Sequence, residues 1–129
     1  MVARADEYKA EAEKVVAAMR DQLGVELNYD KESVAWLEGY IDRIRPQLTN
    51  ESYSGLATAL GAYLGESIIA TYGGSWDYFE EQDQWGIRLG EKSAAFPFSK
   101  VHKQLKDGEF ESILSFFTIL PRIIDEAKQ

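Results

Sequence analysis

The chain contains no cysteine. Thiol catalysis, cysteine-ligated zinc, iron–sulfur clusters and disulfides are therefore excluded, and the composition suits a reducing compartment. Histidine occurs once, as His102, so a metal would have to be held by carboxylates alone, which favours hard cations, and no EF-hand spacing is present. Long hydrophobic runs are also missing. The longest apolar stretches, 67–70 and 113–120, fall far short of the ~20 residues of a spanning helix. The opening MVARADEYKAEAEK has no apolar core of a signal peptide. These absences lead us to expect a cytoplasmic protein with no membrane partner. Basic residues are in short supply: 14 Lys+Arg stand against 22 Asp+Glu, a net charge of −8. That balance argues against a nucleic-acid partner, whose phosphates need Lys and Arg, and directs any charge-guided contact toward a basic protein.

What is present is the composition of a globular protein, 45% hydrophobic and 12% aromatic, and 129 residues suit a single domain over 1–129. Residues 5–23 form an amphipathic helical pattern, with Tyr8, Ala12, Val15, Met19 and Leu23 at three- and four-residue steps and Gly24 as its stop. Asp30 is placed to cap a second helix over 31–45, with Val34, Leu37, Ile41 and Ile44 on its buried stripe and Pro46 as terminator. A third helix, capped by Thr49 or Asn50, runs over 51–72 and is apolar around much of its circumference, as a central helix would be. Gly73-Gly74 breaks it.

Beyond Gly74 the period shortens to two. Trp76 and Tyr78, then Trp85, Ile87 and Leu89, alternate with small or polar residues on either side of Glu80-Glu81-Gln82-Asp83. This predicts an antiparallel hairpin of 75–80 and 84–90, with 94–98 as a short third strand or extended segment. A short helix from Ser99 to about Lys106 and a last helix over 111–127 complete the chain, with Pro121 kinking or splitting the latter. The expected fold is α+β: about five helices, with a small hairpin or three-stranded antiparallel sheet inserted after the third.

Several residues carry chemistry worth placing. Glu66 lies within the most apolar helix, and it either emerges on a polar edge or pairs with an arginine, Arg88 first and Arg43 or Arg45 next. In the paired case Glu66 and Arg88 would line a polar pocket beside Trp76 or Trp85. Gly61 and Gly65, four apart, each weaken a helix by about 1 kcal/mol relative to Ala, which points to close approach of another backbone or ring. No Lys-Ser/Thr follows them, so a phosphate loop is excluded. Asp77, Glu80, Glu81 and Asp83 beside Trp76, Tyr78 and Trp85 make an acidic turn with aromatic neighbours. It is either an ordinary solvated turn or a contact surface for a partner. His102, among Lys100, Lys103 and Lys106, reads as a surface residue without a nucleophile.

The segments SVAWLEGYIDRIR (33–45), LGAYLGESIIATYGGSW (60–76), WGIRL (85–89) and FPFSKVHKQLKDGEFESILSFF (96–117) together resemble a family of uncharacterised bacterial domains of unknown function. The resemblance covers about residues 30–117, its most specific part being the Leu-Gly-x-Tyr-Leu-Gly-Glu…Gly-Gly-x-Trp run. It implies a bacterial source and a small standalone domain, and it assigns no activity or ligand to any residue. With no catalytic pair, metal set or cofactor motif in the sequence, no catalytic residue, metal or cofactor is expected. The expected role is non-enzymatic, a protein-interaction module. Its alternatives are a toxin-neutralising immunity protein with a basic target, and a small-ligand domain or enzyme with a pocket near Glu66 and Arg88.

Overall fold

The computed structural model describes residues 2–108 and 112–127. Its first element, α1 (Val2–Leu23), begins three residues before the expected start. Tyr8, Ala12, Val15 and Met19 are buried as the spacing predicts, but Leu23 is half exposed. Gly24, at φ 65°, donates its N–H to the Arg20 carbonyl, and Val25 donates to Met19. This is the paired closure that a left-handed residue after a helix makes. The chain turns back there, and Leu27 enters the core in place of Leu23.

The second helix, α2 (Lys31–Ile44), is capped by the Asp30 carboxylate, which accepts from the Ser33 N–H at 2.8 Å. Pro46 ends the α-helix but not the coil: Arg45–Gln47 continues as a 3₁₀ turn with the proline near its start. A proline lacks only an N–H that the first turn of a helix does not use. Helix α3 (Asn50–Tyr72) opens on a reciprocal capping box between Thr49 and Ser52 and closes at Gly73, φ 86°. Leu60, Ala62, Tyr63, Leu64 and Ile68 are all buried, and α3 packs chiefly against α1 and the helix that follows the sheet. It is the central helix its apolar circumference predicts.

Three antiparallel strands follow in the order β1 (Ser75–Phe79), β2 (Gln84–Leu89), β3 (Ser93–Ala95). Trp76 pairs with Ile87 and Tyr78 with Trp85, so these four share the face turned toward the helices. Glu80–Asp83 form the four-residue hairpin loop, closed by an Asp83 N–H to Glu80 carbonyl bond, with Asp83 itself at φ 51°. The third strand is shorter than expected, because α4 (Pro97–Asp107) begins inside the segment assigned to it. Pro97 sits at the start of that helix, where its fixed φ is an advantage. Ser99 does not cap the helix; its hydroxyl instead donates to the Gln84 side-chain oxygen at 2.8 Å.

The last helix, α5 (Ile113–Ala127), runs through Pro121 without a break in its assignment; its expected first residue, 111, lies outside the described residues. Proline removes the N–H that would bond to the Phe117 carbonyl four residues back. The Tyr72 hydroxyl, from the end of α3, donates to that same carbonyl at 2.8 Å. The vacancy in the helix ladder is filled from another element, and Tyr72 and Phe117 also pack ring to ring at 5.1 Å. At the start of α5, Ile113 donates its N–H to the Gln104 side chain, Leu114 to Glu38 and Ser115 to the Ser112 hydroxyl. Side chains of α2 and α4 thus satisfy the open end of α5, which explains why the amide of Gln104 is buried yet tolerated.

Candidate functional site

Gly61 and Gly65 make the seam that their spacing implies. A methyl group on Gly61 would lie 2.5 Å from the Phe98 ring and 2.9 Å from the Phe98 Cα. One on Gly65 would overlap the six-membered ring of the Trp76 indole. Two helix-weakening residues therefore let β1 and the start of α4 approach α3 more closely than any side chain permits. Trp76 stacks on Phe98 at 5.4 Å, and Tyr8 from α1 closes the cluster at 4.7 Å from Trp76 and 4.8 Å from Phe98.

Glu66 meets none of the three arginines proposed for it. Its carboxylate accepts the Trp76 indole N–H at 2.7 Å. Arg88 instead donates to Asp77 at 2.8 Å and stands 4.7 Å over the Phe79 ring. Arg45 pairs with Asp42, and Arg43 lies over the Trp36 ring at 5.7 Å. The physical reason is the strand alternation. Arg88 occupies the sheet face opposite to Trp76 and Ile87, whereas Glu66 approaches from the helix side. A charge in a half-buried site needs a donor, and a neutral indole N–H a single bond away satisfies it. Glu66 does border a hollow of about 220 Å³, with Lys9, Glu13 and Tyr29 among its walls. Burial holds the Tyr29 hydroxyl up to about 12 there.

The hairpin tip is arranged differently. Tyr78 is 39% exposed, and its hydroxyl donates to the Asp83 carboxylate. That bond is also what raises the Tyr78 pKa, since a carboxylate acceptor favours the protonated phenol. Trp85 is half-buried and stands edge-on to Tyr78 at 6.0 Å and to Tyr8 at 6.1 Å. The Arg88 guanidinium, bonded to Asp77, holds that carboxyl below its ordinary value, helped by the Tyr78 N–H. Glu80 and Glu81 are exposed and make no ion pair among the described residues.

The candidate residues therefore divide into two groups. Glu66 and Trp76 belong to the seam. Trp85, Glu80, Glu81 and Asp83 belong to the tip with Tyr78, and Arg88 supports the tip from the other face. Tyr8 was the participant missed; its signal is that it is the one aromatic on the apolar stripe of the first helix. The Asp77–Arg88 pair was missed too, although a four-residue loop between Phe79 and Gln84 sets a register that makes the two residues diagonal neighbours. No group of three or more acidic or histidine side chains that could hold a metal ion occurs among the described residues. No helix among them is long and apolar enough to cross a membrane. Comparison of the chain with family models, with curated proteins and with solved structures yields no match to any of them.

Proposed function

We propose that the chain is a protein-binding module that meets a basic partner through the hairpin tip. The observation that carries this reading is the exposed Tyr78 ring. It is set beside Trp85, fixed by Asp83 and flanked by the carboxylates of Glu80 and Glu81. Aromatic rings with a polar edge supply most of the energy at protein contacts, and a ring already held in place loses less freedom on binding. Arg88 neutralises Asp77, so the uncompensated negative charge of the hairpin lies at its loop. With a chain charge of −8, the field steers a basic surface toward that end.

A photo-crosslinking residue at position 82, exposed in the loop beside Tyr78, identifies the partner in cells. The purified pair is then compared with a Glu80→Lys/Glu81→Lys variant. Asp83 is left alone because its left-handed backbone would strain a lysine. The expected result is association slowed about tenfold at low salt, with a flatter salt dependence and an unchanged melting temperature. An association rate equal to that of the parent, or no crosslink at position 82, overturns the reading.

A further inference from the structure

We propose that the hollow between α3 and α4 binds a small organic acid, a carboxylate carried on a planar apolar body. The hollow has a volume of about 420 Å³, within the range of small-molecule sites. Tyr53, Ala57 and Thr58 of α3 form one wall, and Phe98, His102 and Lys103 of α4 the other. The Tyr53 and His102 rings meet edge to face at 4.9 Å, and the Tyr53 hydroxyl donates to the His102 carbonyl at 3.0 Å. Phe98 is pinned between Gly61 and the Trp76 ring. Phe98 is thus held from outside the hollow and Tyr53 by His102 of the facing wall, so a flat ring entering it orders little that is not already ordered.

Among the described residues no carboxylate lines the hollow, nor the adjoining one of about 240 Å³ that shares Ser99 and Lys103. The lysine that lines this hollow is Lys103, which is exposed and makes no ion pair among the described residues; Lys100 lines the adjoining one, where it stands 5.2 Å over the Phe116 ring. A single lysine, with no arginine in either wall, matches one negative charge better than a phosphate dianion, which favours a guanidinium fork or several converging donors. The geometry points to a carboxylate at Lys103 with its ring between Tyr53 and Phe98, above Ala57. This site shares no ligand-facing residue with the hairpin tip and does not rest on the role given to that tip.

The test is titration of the full chain with 2-naphthoate and with neutral 2-naphthol, followed through amide NMR shifts. The expected result is saturable naphthoate binding that moves amides within 53–58 and 98–103, and naphthol binding about fivefold weaker, the loss of one exposed ion pair. Lys103→Gln should weaken naphthoate by a similar factor and leave naphthol unchanged. Thr58→Trp, at an exposed wall position, should block both ligands by filling the space. Equal affinity for acid and alcohol, shifts confined to other parts of the chain, no saturable shift, or an unaffected Lys103→Gln variant would each overturn the proposal. The Glu80→Lys/Glu81→Lys chain should bind naphthoate as the parent does, which separates failure of this site from failure of the hairpin reading.

Discussion

On β1, Trp76 and Tyr78 lie two residues apart on the same face of the sheet, and each gives its polar hydrogen to a carboxylate, Glu66 for one and Asp83 for the other. Trp76 is covered by α1, α3 and the start of α4, whereas Tyr78 runs out beyond that cover and is exposed. The same pairing of ring and carboxylate is thereby architecture at one position and available surface at the next. Two residues along a strand span roughly 7 Å, enough to pass from the edge of the helices into solvent. Burial alone sets the difference. An acceptor lost under cover leaves a desolvated donor, while one lost in water is replaced by water.

Substitutions along this strand and its cover test the contrast. The largest loss is expected for Gly65→Leu, which drives a side chain into the Trp76 indole; overpacking of this kind costs about 3 kcal/mol or more when the neighbour is backed by other rings. A shift of the urea midpoint at constant slope measures it, and parental stability would mean that the seam yields without cost. Next comes the direct comparison of the two pairs. Glu66→Leu should destabilise by about 2 kcal/mol by leaving the indole N–H without an acceptor, whereas Tyr78→Phe should cost under ~0.5 kcal/mol. Glu66→Gln keeps an acceptor and should fall between them. Equal losses for Glu66→Leu and Tyr78→Phe would break the contrast between covered and uncovered pairs.

A smaller effect is expected where cover is supplied from a distance. Tyr72→Phe should cost about 1 kcal/mol, because the Phe117 carbonyl then has neither a helix partner nor a hydroxyl. Pro121→Ala restores an N–H to the ladder, so Tyr72→Phe should cost less in that background. A double-mutant cycle with no coupling would show that the hydroxyl does not replace the missing bond. The smallest effect is on the outer face of the sheet. Asp77 has a lowered pKa in the folded chain, so its stabilising contribution is present above the ordinary carboxylate value. It is lost as pH falls through the folded value. Arg88→Gln should return the Asp77 titration, followed by carboxyl NMR, toward that ordinary value, and an unmoved titration would mean that the guanidinium is not its cause.

The helices were legible because their apolar residues repeat at three and four. Asp30 announced one start and Thr49-Asn50 another, and Gly24 and Gly73 two ends, each through a local hydrogen bond or a backbone preference. The hairpin was legible from its alternation and its acidic loop, and the glycine pair from its cost to the helix that contains it. The boundary between β3 and α4 was less so, because Pro97 is equally compatible with an extended segment and with the first turn of a helix. In the helix it adopts, Phe98 lies against Gly61 across the seam.

The partners of charged and polar side chains depended on the fold in a stronger sense. Sequence separation says nothing about which face of the sheet Arg88 occupies once strand register is open, and a shift of one residue would have turned it toward Glu66. Glu66 finding an indole, Tyr72 finding the carbonyl that Pro121 leaves free, and Glu38 finding the start of α5 across 76 positions of chain are each the meeting of groups from different elements. The sequence by itself determined the elements, their order and the residues that had to be covered, because periodicity, caps and breakers act over a few neighbouring positions. Tertiary structure decided which carboxylate met which donor and which of two rings on one strand stayed in water. Those outcomes follow from how far the helices extend over the sheet, a distance that no local pattern encodes.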